Sequence, residues 1–314
     1  MSTTARAHPN IALIKYWGKA PGEGNIPATP SLSITLDSLV TETHVTTGPS
    51  QDQLYFDDEP VADRKVLDWL EALRQRLDIP PLEIRTGNNF PTAAGLASSA
   101  SGFAALIMAI DAHCGLHLDQ ATLSDLARRA SGSAARSMLG GFVAIREPDW
   151  VAEPVLGPEA WPMKTVIAVT TTARKSVPSS QGMAISAATS PYYPAWVEST
   201  RADFTDALAA VNARDFQALA DLAEFSCLKM HGLMIGSRPG LIYWNAATLS
   251  CLHAVRNLRQ DGVDVFFTVD AGPQVKAVCP PEAERDVSAA LASVPGVQEI
   301  VVTGLGPGAR VVDP

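Results

Sequence analysis

"NNFPTAAGLASSASGFAALIMAI", from Asn88 to Ile110, runs from two asparagines and a proline through a patch of small residues into an apolar helix. Between Pro91 and Gly102 every residue except Leu96 is Pro, Thr, Ala, Gly or Ser. The N-terminus of a helix presents free backbone N–H groups and a partial positive charge, and small residues let an anion approach them closely. The stretch lacks the Gly-Lys-Ser/Thr ending of a P-loop. It therefore indicates either a phosphate site of another kind or a close contact between helix and sheet.

The composition is that of a globular protein. Of the 314 residues, 46% are hydrophobic and only 18% are charged, which allows a large core in one large or two ordinary domains. The longest apolar run, around Phe103 to Ile110, is far shorter than the roughly 18 residues that span a bilayer. The N-terminus shows no apolar stretch before a small-residue cleavage site. We therefore expect a cytoplasmic protein without a membrane segment.

Charge and cysteine spacing argue against two further classes of protein. The net charge is −9, whereas a general nucleic-acid binder needs a basic face. Cys114, Cys227, Cys251 and Cys279 are dispersed without a C-x-x-C pair, so neither a disulfide framework nor a zinc site is expected. An anionic ligand of so acidic a chain needs a local cationic pocket.

Hydrophobic periodicity divides the chain into strands and helices. In the first half, it predicts strands over 32–38, 42–48 and 82–86, a helix over 61–77, and a helix capped by Asp119. In the second half, it predicts strands in "GGFVAI", "KTVIAVTT", "VDVFFTVD" and "QVKAVC", and helices over 196–225, 243–260 and 282–291. This order predicts an α+β architecture of two layers.

Five blocks of sequence resemble the motifs of one enzyme family. "PTAAGLASSA" (Pro91 to Ala100) resembles the P-x-x-x-G-L-x-S-S-A phosphate loop of the GHMP kinase superfamily. The other four blocks resemble, in order and spacing, the motifs of the diphosphomevalonate decarboxylase family: "NIALIKYWGK" (Asn10 to Lys19), "SGSAARSMLGGF" (Ser131 to Phe142), "KSVPSSQGM" (Lys175 to Met183) and "DAGP" (Asp270 to Pro273). The resemblance favours the phosphate site over the packing contact at the first block.

The resemblance implies a fold and an activity. The fold is a two-layer GHMP-kinase-like α+β fold, with a ribosomal protein S5 domain 2-like N-terminal domain over 1–182 and a GHMP kinase-type α/β sandwich over 183–314. The activity is ATP-dependent decarboxylation of diphosphomevalonate to isopentenyl diphosphate. The tertiary 3-hydroxyl is phosphorylated first, and phosphate and carbon dioxide then leave. ATP and Mg²⁺ are the implied cofactors, and a homodimer is the implied assembly.

Asp270 and Arg136 are the implied centre of the chemistry. Asp270 ends a predicted strand before Ala-Gly-Pro, where a carboxylate can orient a hydroxyl or accept its proton. Without the resemblance, a turn-capping Asp would be the ordinary interpretation. Arg136 can grip a substrate carboxylate with two N–H groups, and helical spacing places it on one face with Ser133. The resemblance also places Arg136 close to Asp270, where it should help to keep that acid ionised.

The remaining implied site residues bind phosphate groups. Lys15 is expected near the reacting centre, and Tyr16, Lys19, Ser131 and Ser133 are expected to bind the diphosphate of the substrate. Two lysines that extend from a strand to solvent are the alternative interpretation of Lys15 and Lys19.

The resemblance also implies nucleotide-binding residues in the opening stretch and a catalytic Ser179 in the "KSVPSSQGM" block. These are Gly95, Leu96, Ala97, Ser98 and Ser99 for the ATP phosphates, Ser179 on the γ-phosphate side, and Asn88, for which turn formation is an equal explanation. The sequence identifies no metal ligands.

Departures from the family pattern leave the substrate open. Thr29 and Pro30 replace an Asn-Ser pair, Pro178 replaces a Ser, and Ser180 stands where some members have an Arg. A phosphomevalonate decarboxylase or a mevalonate 3-kinase is therefore an alternative. A non-catalytic RNA-binding protein is an alternative from another class, because the superfamily shares its N-terminal fold with ribosomal components. The acidic balance counts against it.

Overall fold

The computed structural model describes residues 2–90, 98–173 and 175–312. Within these residues the chain forms eight α-helices: α1 (Arg64–Arg74), α2 (Ser98–Cys114), α3 (Gln120–Ala130), α4 (Ser179–Thr189), α5 (Tyr193–Ala213), α6 (Phe216–Ile235), α7 (Ala246–Gln260) and α8 (Glu284–Ala292). Two short 3₁₀ helices span Ala134–Met138 and Pro281–Ala283.

The strands of the described residues run through the whole chain. They are β1 (Thr3–Ala7), β2 (Asn10–Ile14), β3 (Ser31–Thr35), β4 (Thr41–Thr47), β5 (Gln53–Phe56), β6 (Glu59–Pro60), β7 (Leu82–Asn88), β8 (Phe142–Ile145), β9 (Ala152–Leu156), β10 (Lys164–Val169), β11 (Phe266–Val269), β12 (Val275–Cys279), β13 (Glu299–Gly304) and β14 (Arg310–Val312).

The strands form three mainly antiparallel sheets. The first sheet has the order β14-β1-β4-β7-β5-β6, the second β2-β3-β8-β9, and the third β11-β12-β10-β13. Helix α2 packs on β1 and β4 of the first sheet. Strand β14 returns from the end of the chain to pair with β1, and β10 pairs with β12 and β13. The α+β architecture is confirmed, and the division at residue 182 stays a prediction.

Helix α6 contacts both of the sheets that carry the candidate site. It packs against β2 of the second sheet and β11 of the third. The backbone N–H of Lys15 donates to Ser226 on α6 at 2.9 Å, and the N–H of Val269 donates to the Cys227 sulfur at 3.2 Å. Thr268 donates its hydroxyl to Ala12 across the two sheets. The ends of β2 and β11 are therefore held against each other.

The prediction of a single helix over 196–225 is wrong, because two helices occupy this region. Helix α5 ends at Ala213, and Arg214 follows it in the left-handed conformation with φ of 54°. Asp215 then caps α6 by accepting a hydrogen bond from the N–H of Ala218 at 3.0 Å. Both helices are apolar, and the spacing of hydrophobic residues continues across the break between them. Periodicity alone therefore does not reveal the break.

We expect Asp215→Ala to lower the free energy of unfolding by about 1 kcal/mol, because an orphan N–H of the first turn of α6 loses its acceptor. Urea denaturation followed by circular dichroism measures this change. Asp206→Ala is the matched control, since Asp206 is exposed inside α5. Equal midpoints for the two variants would contradict the capping role.

The other helix ends follow the sequence more closely. Asp119 caps α3 through the N–H of Thr122 at 2.7 Å, as predicted. Helix α2 ends at Cys114, and Gly115 follows with φ of 60°. None of the helices formed by the described residues is both long enough and apolar enough to cross a membrane.

Candidate active site

A cleft of about 510 Å³ brings most of the predicted site residues together. Its wall includes Lys15, Tyr16, Lys19, Ser98, Ser99, Ser131, Ser133, Arg136, Ser179 and Asp270. Asn88 is described but is not on this wall; it ends β7, where its side-chain oxygen accepts from Thr41 at 2.6 Å. Gly95, Leu96 and Ala97 lie outside the described residues.

The cleft is strongly cationic although the chain is acidic. Among the described residues of its wall, Asp270 is the single carboxylate, and the cations are Lys15, Lys19, Lys65, Arg136 and Lys175. Low-dielectric walls strengthen the field of such a cluster. The cleft therefore fits a ligand with several negative charges.

Asp270 is held between two buried lysines. It follows β11 directly, whereas Lys15 follows β2 in the neighbouring sheet. Lys15 Nζ donates to Oδ1 at 2.6 Å, and Lys276 Nζ donates to Oδ2 at 3.2 Å. Burial acts to raise the pKa of Asp270, but the charges and hydrogen bonds of the two lysines outweigh it and hold the pKa well below its usual range. The acid is therefore ionised at neutral pH.

Arg136 lies in the 3₁₀ helix Ala134–Met138, and Ser133 directly precedes that helix. The α-helix that the spacing of Ser133 and Arg136 suggested does not form here. Its Nε donates to Asn10 Oδ1 at 3.2 Å and its Nη1 to Ser31 Oγ at 2.7 Å. Burial lowers the pKa of Arg136 to about 10, which still leaves it charged at neutral pH. These two hydrogen bonds hold the guanidinium in place on the cleft wall. The lysines, more than Arg136, keep Asp270 ionised.

One end of the cleft is rich in neutral donors. Ser99 and Ser131 place their hydroxyl oxygens 3.4 Å apart, and Ser131 and Ser133 are also 3.4 Å apart. The hydroxyl of Tyr16 is buried and has no hydrogen-bond partner among the described residues. Burial raises the pKa of Tyr16 to about 12, so the phenol keeps its proton as a donor. A buried donor without an acceptor is costly, which indicates that a ligand supplies one.

Another part of the wall is formed by the start of α4 and the residues just before it. Lys175 Nζ donates to Ser179 Oγ at 2.7 Å and to the Ala271 carbonyl at 3.2 Å. Burial lowers the pKa of Lys175. Pro178 stands at the cap position of α4, where it can offer no side-chain hydrogen bond to the first turn, and Ser180 lies on the cleft wall. Lys175 thereby links the serine of this wall to the residue after Asp270.

Sequence reasoning missed several residues of this site. Lys276 partners Asp270, and Lys65, Lys175 and Asn25 line the cleft. The available signal for Lys276 was a lysine inside the apolar strand "QVKAVC", since lysine is rarely buried without a partner. Lys65 belongs to a surface helix and gave no such signal.

The described residues offer a divalent cation few ligands of their own. They contain no group of three or more His, Cys, Asp or Glu side chains that could hold a metal. Both oxygens of Asp270 already accept from lysines. Mg²⁺ commonly binds through nucleotide phosphates with few protein ligands. The site therefore fits an ion carried on phosphate oxygens, with the hydroxyls of Ser98 and Ser99 as candidate ligands.

Two family models match the chain over most of its length. The model of the diphosphomevalonate decarboxylase-like N-terminal domain matches residues 7–150. The model of the mevalonate 5-diphosphate decarboxylase C-terminal domain matches residues 165–305. The order of the two matches agrees with the order of the sequence blocks.

Relatives and solved structures agree with these models. Diphosphomevalonate decarboxylase of Eremothecium gossypii is 35% identical, over 95% of this chain and 82% of that protein. The crystal structure of the Staphylococcus aureus mevalonate diphosphate decarboxylase is similar with a TM-score of 0.93 and 34% identity, over 99% of this chain and 98% of that one. MDDEF in complex with MVAPP, AMPPCP and magnesium has a TM-score of 0.92 and 36% identity, over 100% and 99% of the two chains. The predicted fold is thereby confirmed, and the chain belongs to the diphosphomevalonate decarboxylase family.

Proposed function

We propose that this protein converts (R)-5-diphosphomevalonate to isopentenyl diphosphate by ATP-dependent decarboxylation. The single observation that carries the proposal is an ionised Asp270 beside a buried Arg136 in a cleft whose other charged groups are lysines. A substrate with a diphosphate, a carboxylate and a hydroxyl matches this set of charges. The solved relative with MVAPP, AMPPCP and magnesium supports the same ligand classes.

In the first step, the 3-hydroxyl oxygen bonds to the γ-phosphorus, and the bond from that phosphorus to the leaving oxygen of ADP breaks. Asp270 orients the hydroxyl and accepts its proton. Its low pKa makes it a weak base, which suits a loose transition state in which the hydroxyl proton becomes acidic only as the new bond forms. The Lys175 and Ser179 pair is placed to donate to the transferring phosphoryl group. Mg²⁺, when bound, neutralises charge on the phosphates.

In the second step, the phosphate leaves from C3 and the bond between the carboxylate and C2 breaks. The electrons of that bond form the new double bond, and carbon dioxide departs. Arg136 orients the substrate carboxylate through its fixed guanidinium. Lys15 offers a positive charge near the leaving phosphate, which stabilises the negative charge that develops there.

Two adjacent sets of donors bind the phosphate groups of the two ligands. We assign Tyr16, Lys19, Ser131 and Ser133 to the diphosphate of the substrate. We assign Ser98 and Ser99 at the start of α2 to the ATP phosphates, together with Gly95, Leu96 and Ala97 before it. The hydroxyl contacts from Ser99 through Ser131 to Ser133 support a continuous donor surface between the two sets. Asn88 stays a predicted nucleotide-binding residue, and its hydrogen bond with Thr41 also gives it a structural role in β7.

The test is to incubate purified protein with ATP, Mg²⁺ and each of mevalonate, phosphomevalonate and diphosphomevalonate. ADP and carbon dioxide are measured separately. We expect equal amounts of both products with diphosphomevalonate. ADP without carbon dioxide identifies a 3-kinase instead, and preference for the monophosphate identifies a phosphomevalonate decarboxylase. No ADP from any of the three substrates refutes the proposal.

We expect Gly132→Ala to raise the KM for diphosphomevalonate by about tenfold or more with a smaller change in kcat, because a charged hydrogen bond contributes about 1.5–3 kcal/mol. An added Cβ at Gly132 would overlap the hydroxyl of Tyr16 and push that side chain away. Steady-state kinetics measure the effect. Gly157→Ala is the control, since its Cβ would meet nothing within 4 Å. A KM equal to that of the control would remove Tyr16 from the substrate site.

We also propose that the protein is a cytoplasmic homodimer with its domain boundary near residue 182. The family resemblance supports the dimer, and exposed apolar side chains such as Phe225 and Ile242 are surface that a second subunit can cover. Light scattering on a size-exclusion column tests the assembly. A monomeric mass at micromolar concentration would overturn it.

A further inference from the structure

Lys276 occupies an unusual place for a lysine. It lies in the interior of β12, its side chain is 1% exposed, and it does not line the cleft. Removing an ammonium group from water is costly, so buried lysines are normally paired. A buried ion pair, however, adds little net stability compared with a well-packed apolar residue of similar size. Packing of the third sheet alone therefore gives no reason for a lysine here.

Strand register brings Lys276 to Asp270. Lys276 pairs with Thr268 of β11, and Asp270 lies two residues farther along the same chain. Residues two apart in a strand share one face of the sheet, and a long side chain reaches such a diagonal neighbour. Lys276 Nζ donates to Oδ2 of Asp270 at 3.2 Å, while Lys15 donates to Oδ1 at 2.6 Å. The carboxylate is thus held through both oxygens and cannot rotate freely.

The two lysines differ in what they can do. Lys15 lies on the cleft wall, where it can also touch substrate. Lys276 does not line the cleft, and its hydrogen bond to Asp270 connects it to the cleft wall. The Asp270 side chain is 26% exposed, and each of its oxygens keeps a second lone pair for a ligand.

We propose that Lys276 is a positioning residue, which fixes the Asp270 carboxylate in its reactive orientation and keeps it ionised without touching substrate. This inference rests on the proposed function of Asp270. Lys276 is an addition to the residues that the family motifs mark, because it follows the "DAGP" block.

Few other groups can take over this role. Apart from Lys276, the described titratable groups that interact with Asp270 are Lys15 after β2, Arg136 in its 3₁₀ helix, Lys175 before α4, and Cys227 and His231 on α6. Burial raises the pKa of Cys227 to about 11 and lowers the pKa of His231 to about 3, so both are neutral at neutral pH. Burial lowers the pKa of Lys276, and the charge of Asp270 opposes this.

The first test is Lys276→Met, which keeps the length of the side chain and removes its charge. We expect kcat to fall by about tenfold to a hundredfold with KM values within about threefold, because misorientation of a reacting group affects the chemical step. Loss of a cation raises the pKa of Asp270, so the acidic limb of the kcat profile moves to higher pH. Lys276→Arg keeps the charge and should leave that limb in place. Lys164→Met on β10 of the same sheet is the control.

The second test is a double-mutant cycle in which Tm is measured, so it does not depend on catalytic activity. In the unmodified chain, Lys276→Met should lower Tm or leave it unchanged. In the Asp270→Asn background it should raise Tm, because it removes one of two buried ammonium groups that have lost their shared counter-ion. A rise in Tm in the Asp270→Asn background that is absent from the unmodified chain supports the pairing, even if diphosphomevalonate proves not to be the substrate. Equal Tm changes in both backgrounds, or an unmoved acidic limb with normal kcat, would overturn the proposal.

Discussion

Asp270→Asn should lower kcat for decarboxylation by about three orders of magnitude, the range of a well-placed proton acceptor. The amide keeps the shape of the carboxylate but offers only one acceptor oxygen and no charge to orient the 3-hydroxyl. ATP binding should persist, since the nucleotide phosphates are assigned to the start of α2. Rapid-quench measurement of ADP gives the rate, and calorimetry with a non-hydrolysable ATP analogue gives the affinity.

Asp264→Asn is the matched control for this variant. Asp264 is exposed just before β11 and accepts a hydrogen bond from Gln217 at 2.6 Å. It should keep the normal rate. An Asp270→Asn enzyme with a rate near that of the control would mean that Asp270 only shapes the turn before Gly272. Assays need a temperature well below the melting point, because the substitution leaves Lys15 and Lys276 without their shared partner.

Arg136→Lys should lower the rate of carbon dioxide release by about a hundredfold, the cost of losing a pre-organised donor. A lysine keeps the charge but not the planar fork that binds a carboxylate with two N–H groups. It also cannot reproduce the hydrogen bonds that hold Arg136 to Asn10 and Ser31. In a single turnover, ADP should therefore appear before carbon dioxide.

Arg146→Lys serves as the control, because Arg146 is exposed and pairs with Glu153 away from the cleft. Its two products should appear together at the normal rate. If the Arg136 variant instead loses ADP formation and carbon dioxide release in parallel, then Arg136 acts before or during phosphoryl transfer, and its assignment to the carboxylate is incorrect.

The sequence predicts those parts of the candidate site that lie in contiguous motifs. Asp270 was predicted at a strand end, and it follows β11 directly. Lys15, Tyr16 and Lys19 belong to one block, and the structure places all three on the cleft wall. Local patterns of this kind are visible because the physical requirement, a turn or a run of small residues, involves neighbours in the chain.

The partners of these residues were not visible, because they depend on register between distant strands. Lys276 meets Asp270 only through the pairing of β12 with β11. Lys65 reaches the cleft from α1, a helix that periodicity identified without indicating what lies beside it. The break at Asp215 was missed for a different reason, since two apolar helices in series have the same spacing as one long helix.

The contact between Lys15 and Asp270 joins residues 255 positions apart. Strand β14 near the end of the chain also completes the sheet that contains β1. Contacts of such long sequence separation are slow to form, because loop closure costs entropy before the contact contributes. A growing chain on the ribosome thus cannot assemble this centre until the residues up to Asp270 have emerged. Enzymatic activity should be the last property to appear during refolding, after the helical signal has recovered.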